Sequence, residues 1–225
     1  MKNKELKKIL DKIDNNDIKN YLLDILTYNE NIMNDFRGTF INYFPKITKE
    51  EYNRKIYSAI QLASGRDGYI DYREASEYTR LMYGFIRESR NLLDNRNYES
   101  AFDIVETILD SIPETDIDDS NGSTGEVASD CIEVIEDILG YSLIDDLNIS
   151  FRILNFVLDE IKTGIFYNYG IELYPLLDYF IDEKRYLKEI ENTLNSFLKH
   201  SKETGSIRGK YNSILSRIKN IEELI

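Results

Sequence analysis

Soft metal ligands and rigid residues are scarce in this 225-residue chain, which has one Cys, one His, three Pro and no Trp. A single cysteine, Cys131, excludes an internal disulfide, and a single histidine, His200, leaves too little for a zinc or iron site of the common kinds. No run approaches the roughly 18 uncharged apolar residues that a membrane span needs. The N-terminal MKNKELKKILDKIDNN interrupts its apolar positions with charge where a secretory leader would be continuous. These absences predict a cytoplasmic protein with no membrane segment and no cofactor. Nucleophile motifs, a P-loop and a dinucleotide fingerprint are missing as well.

Basic residues are also absent from one long stretch. Between Asn97 and Phe151 there is no Lys or Arg, while 15 of the 41 acids fall there, leaving 26 acids against all 28 bases elsewhere. The middle quarter of the chain therefore carries the whole net charge of −13. From Lys184 to Lys219 the sign reverses, with nine bases against three acids. Such a charge run is either a solvated helix face or a surface for a partner.

What is present is helical periodicity. Leu6, Ile9, Leu10 and Ile13 form one apolar stripe, Ile18, Tyr21, Leu22, Ile25 and Leu26 a second, and Ile32, Phe36, Phe40 and Tyr43 a third that stops at Pro45. Thr48 to Glu51, TKEE, is a capping box that opens a helix through Tyr52, Ile56, Tyr57 and Ile60. Further helices run from near Tyr72 to Leu93, from Tyr98 to Pro113, from Val127 to Gly140, and over Ile153–Ile161, Leu173–Ile181, Tyr186–Leu198 and Ile207–Leu224. Cys131 lies on an apolar face, as a buried small hydrophobe would. Pro175 suits a first helical turn. No alternating run long enough for a sheet occurs, so the reading is all-α, nine to eleven helices in antiparallel hairpins, forming a bundle or short solenoid. A single domain over 1–225 is expected, with a possible subdivision into 1–140 and 150–225.

One hairpin has a specific spacing. Phe85, Ser89, Leu92, Ala101, Val105, Ile108 and Pro113 follow the alternation of large and small residues, closed by Pro, of a tetratricopeptide repeat, in one copy.

Two loops raise the question of a metal. In GRDGYIDYREASEY, Gly65 to Tyr78, setting Gly68 at the sixth position of a calcium loop puts Asp67, Ile70, Asp71 and Glu74 at positions five, eight, nine and twelve. Ala63 and Gly65 then stand where two carboxylates belong, and the same residues serve as a turn at Asp67-Gly68 and a helix cap at Asp71 with Glu74. In ETDIDDSNGSTGE, Glu114 to Glu126, Asp118 and Asp119 offer oxygens to a hard cation or cap the following helix. Calcium and capping stay open for both loops.

DGYIDYREASEYTRLM, YESAFDIVETILDSI and DDSNGSTGEV together resemble the helical region of bacterial SWIM-type zinc finger proteins, in which a G-x-I-D-Y segment precedes a helical pair and a D-D-S-x-G-x-x-G loop. The resemblance covers about residues 65–147. It places Asp71, Asp118, Asp119, Ser120, Gly122 and Gly125 on matching motif positions and implies a helical scaffold. The finger's three cysteines and one histidine are not present, so its zinc does not carry over.

The pattern predicts a non-catalytic module for a protein partner. Its 27 aromatic residues, 17 Tyr and 10 Phe, suit a wet interface. Asp116, Asp118, Asp119 and Glu126 from the acidic stretch, with Tyr167, Tyr169 and Tyr174 from IFYNYGIELY, are the candidate contacts. The alternative is an acidic inhibitor that imitates nucleic acid for a basic partner, since the 97–151 segment itself would repel phosphates. An enzyme would have to be a metal-dependent hydrolase built on carboxylates. Its adjacent pairs Glu136-Asp137 and Asp145-Asp146 point about 100° apart on a helix and do not converge.

Overall fold

The computed structural model describes residues 3–29, 32–33, 36, 39–40, 43, 47–65, 67–200 and 206–223, without the side chains of 3, 167, 168, 200, 206, 222 and 223. Ten α-helices occur among them: α1 Asn3–Leu10, α2 Asn15–Tyr28, α3 Lys49–Ala63, α4 Ala75–Asp94, α5 Tyr98–Ser111, α6 Ser123–Asp145, α7 Leu147–Thr163, α8 Asp178–Ile181, α9 Lys184–His200 and α10 Ser206–Glu223. The fold is all-α, and its one pairing of extended backbone among these residues is an isolated bridge between Ile70 and Ile117. Of the third sequence stripe, Ile32, Phe36, Phe40 and Tyr43 are described, with Ile32 and Phe36 helical and the Phe36 and Phe40 rings 4.6 Å apart between centres, while Pro45 lies outside the described residues. No described helix is long and apolar enough to cross a membrane.

Helix α5 is the axis of the molecule. Eleven of its fourteen residues are buried, and α3, α4, α6 and α7 all pack on it. Ser89 of α4 meets Ala101 of α5, both fully buried, and the Ser89 hydroxyl donates to the Ala101 carbonyl at 2.7 Å. Two small residues thus let the hairpin close backbone to backbone. The turn between them, Asn95–Asn97, places Arg96 at φ 57°, a left-handed conformation uncommon for a side-chain-bearing residue. Cys131 is buried in α6, and burial pushes its thiol well above the ordinary range.

Several helix boundaries differ from those expected: α6 begins at Ser123, not Val127, and α7 at Leu147, not Ile153. α6 does not stop at Gly140 but continues to Asp145, because Ile138, Leu139 and Ser142 on either side are fully buried and outweigh the roughly 1 kcal/mol a helical glycine costs. The stretch Leu173–Ile181 is not one helix. It is a 3-10 turn, Tyr174–Leu177, with Pro175 near its start, running into the four-residue α8. The segment Gly140–Ser150 forms a tight corner: Asp146 caps α7 by accepting from Asn148 and Ile149 amides, and the buried Ser142 and Ser150 hydroxyls meet at 2.9 Å. Beyond it, α7 carries the chain to α9, which pairs with α10.

Candidate partner-binding surface

The two acidic loops lie side by side. The Ile70 amide donates to the Asp116 carbonyl and the Asp118 amide to the Ile70 carbonyl, both at 2.9 Å. Ile70 is fully buried and Ile117 partly so. Each loop thus drives one isoleucine inward while its carboxylates stay at the rim. Gly68, at φ 84°, supplies the left-handed turn that lets the first loop fold back.

Most of these carboxylates serve the backbone. Asp71 accepts from the Arg73 and Glu74 amides while Glu74 accepts from the Asp71 amide at 3.2 Å, a reciprocal pair that closes the turn leading into α4, whose own N-cap, Glu74, makes no side-chain cap bond. Asp67 accepts from the Tyr69 amide and Asp118 from the Ser120 amide. Asp119 takes both the amide and the hydroxyl of Thr124, closing the first turn of α6 after Gly122 at φ 77°. Among the described residues no three Asp, Glu, His or Cys side chains converge closely enough to hold a metal ion.

The outcome is an acidic platform. Tyr69 and Tyr72 are exposed on it, and the Tyr69 hydroxyl is pushed up by its surroundings and then by Asp118, Asp116, Asp71 and Asp67. Four carboxylates from two loops act on one ring. The platform continues by way of Glu114 and Pro113 into a cleft of about 340 Å³ lined by Asn53, Tyr57, Thr107, Asp110, Glu160 and Phe166 among others. The Tyr57 hydroxyl donates to Glu114 at 2.6 Å and its proton is held far above the usual range by burial and then by that carboxylate. Asp110 presents an exposed edge, yet the cleft wall, then Glu106 and Glu114, push its carboxyl up to about 6. Glu160 is raised by burial and then by Asp110. Carboxylates beside two aromatic rings suit an ammonium or guanidinium group.

The other expected contacts divide. Tyr169 donates to the Pro113 carbonyl at 3.3 Å and so stands at the junction of platform and cleft. Tyr174 belongs elsewhere: the Lys210 ammonium lies 4.9 Å from its ring centre and Tyr211 meets it edge-on. Glu126 stands on α6 beside Tyr83, whose hydroxyl is pushed up to about 12 by its surroundings and then by hydrogen bonding to Glu126. The side chains of Tyr167 and His200 lie outside the described ones.

The base-free segment is not base-free in space. Arg152 of α7 pairs with Asp103 at 2.6 Å and with Glu106, and Lys49 of α3 reaches Glu106 at 2.8 Å. Arg90 pairs with Glu133 at 3.1 Å, and Arg96 with Asp145 at 3.3 Å. Flanking helices return bases to the acidic stretch. Platform and cleft hold Asp110, Glu114, Asp116 and Asp118 of this stretch, while Glu99, Glu126 and Asp137 are exposed elsewhere.

The cleft escaped the sequence reading because its walls come from α3, α5 and α7. The platform had a signal in retrospect: each loop holds a single isoleucine, before Asp71 and before Asp118, amid polar residues. A lone aliphatic in an acidic loop is a peg that must be buried. Comparison with protein families, with characterised proteins and with solved structures finds no match for this chain. The resemblance to SWIM-type proteins therefore rests on its motif residues alone.

Proposed function

We propose that this chain is a cytoplasmic, non-catalytic helical scaffold that binds a protein partner through a Lys- or Arg-bearing segment. One observation carries this reading: the Ile70–Ile117 bridge gathers Asp67, Asp71, Asp116 and Asp118 around exposed Tyr69, beside a cleft lined by Asp110, Glu114 and Glu160. Exposed aromatic rings give contact area and the rim of carboxylates gives orientation and a fast encounter with a basic surface. Phosphate imitation needs a continuous anionic track. The pairing of Asp103, Glu106, Glu133 and Asp145 with Arg152, Lys49, Arg90 and Arg96 supports the partner-binding reading over it.

The test is affinity capture on the immobilised full chain at low and high salt, with partners identified by mass spectrometry. The expected partner is retained by the parent protein, is lost from Tyr69→Ala with Tyr72→Ala, and weakens at least tenfold with Asp116→Asn and Asp118→Asn, all variants melting like the parent. Capture indifferent to both pairs of changes would sink the proposal. A partner displaced by added duplex DNA would establish the nucleic-acid mimic in its place.

A further inference from the structure

Helices α1 and α2 pose a physical problem that the platform does not touch. Every described residue of α1 is exposed, and α2 has no buried residue. Leu6, Ile9, Leu10 and Ile13 remain 41–47% exposed, and Tyr21, Leu22 and Leu23 are exposed on α2. Isolated helices shorter than about 12–15 residues are marginal in water, and an amphipathic helix draws its stability from covering its apolar stripe. At eight and fourteen residues, α1 and α2 need a cover.

We propose that the cover is the same arm of a second copy of this chain, two α1–α2 segments closing as a four-helix bundle across a two-fold axis. Charge selects this occupant. Over residues 3–13 the arm carries Lys4, Lys7, Lys8 and Lys12 against Glu5 and Asp11, and over 14–28 it carries Asp14, Asp17 and Asp24 against Lys19. The first half is basic and the second acidic, so α1 of one copy complements α2 of the other, and a two-fold makes each such contact twice. Asp17 and Asp24, seven residues apart, fall on one edge of α2 and can face a basic α1. The four apolar stripes then point inward, as in a bundle core.

The rest of the molecule argues for the same place. The arm is neutral, with five bases and five acids over residues 3–28, so the whole net charge of −13 lies outside it. Two such bodies repel one another across most of their surfaces. The arm is where they can meet without adding like charge.

Sedimentation velocity on the full chain tests this, over roughly 1–100 μM at physiological salt. The parent protein is expected to be a dimer. Leu6→Glu with Ile9→Glu should make it a monomer that still unfolds cooperatively, with a melting temperature that no longer rises with protein concentration, since neither residue is packed against the core. Lys7→Asp with Lys12→Asp should weaken the dimer at least tenfold, and adding Asp17→Lys with Asp24→Lys should restore it. A parent protein that stays monomeric overturns the proposal. So does a dimer that survives Leu6→Glu/Ile9→Glu and is broken instead by Ile144→Glu at the exposed end of α6. Sedimentation of the monomer with phosphatidylglycerol vesicles would assign the stripe to a lipid surface and overturn it equally. None of these results depends on the acidic platform, so the two proposals stand or fall separately.

Discussion

Helices α5 and α2 are the same length, fourteen residues, and could hardly differ more in circumstance. α5 is buried on nearly all sides and α2 nowhere. Both are amphipathic in sequence, so apolar periodicity alone does not say whether a helix will be covered by its own chain. The difference lies in what the flanking segments offer. α5 is enclosed by hairpin partners a short turn away, whereas no described residue of α2 is buried by its neighbours along the chain.

This contrast can be broken hardest at the axis. Phe102→Ala removes a fully buried ring that meets Phe156 edge-on, 5.7 Å between centres, and lies under the Arg152 guanidinium. Urea denaturation should record a loss of about 3–5 kcal/mol. Arg152→Met should cost about 3 kcal/mol, because Asp103 and Glu106 are left together in a mostly buried site. Burial already holds the Asp103 carboxyl above its ordinary range even with Arg152 opposing it. Without the guanidinium its affinity for a proton rises further, so the deficit should shrink as pH falls from 8 to 5.

Smaller effects sharpen the picture at the surface. Asp119→Ala should lower stability by about 1 kcal/mol, the worth of a lost helix cap, and Asp119→Asn by much less. Asp110→Asn should act in the other direction. A folded value of about 6 against an ordinary 3.8 means that the fold favours the protonated acid. That contribution is full below the ordinary value and is lost as pH rises through about 6. The amide therefore stabilises by about 1 kcal/mol at pH 8, the shift being discounted for the exposed edge of Asp110, and by nothing near pH 3. Leu6→Ala in α1 should change the urea unfolding of the body by no more than about 0.5 kcal/mol. A large loss there would show that α1 is covered by its own chain.

Local features of the fold were legible in the sequence. The Thr48–Glu51 capping box forms as written, with the Thr48 amide donating to Glu51 at 3.0 Å. The Asp71–Glu74 bonds, which close a turn before α4 instead of capping its first residue, and the close approach of Ser89 to Ala101 also follow from residues near one another along the chain. What could not be read is long-range. Arg152 meets Asp103 across 49 positions and Ile70 meets Ile117 across 47, and neither separation leaves a periodic trace. The charge imbalance was visible, yet its partial offset by Arg90, Arg96, Arg152 and Lys49 was not, since linear counting cannot see which helices become neighbours. The candidate site was half legible. The loop carboxylates Asp67, Asp71, Asp116 and Asp118 are legible, but not Asp110, Glu114 and Glu160 of the cleft, nor Tyr69, because only the pairing of the two loops sets that ring among the acids of both.

The clasp between those loops is made by peptide groups, which every amino acid other than proline can supply. Substitutions at Tyr69 or Asp116 would alter what the surface presents while leaving the join itself in place. A frame held by main chain with a face made of side chains can change what it recognises in single steps, each taken without first having to rebuild the scaffold beneath.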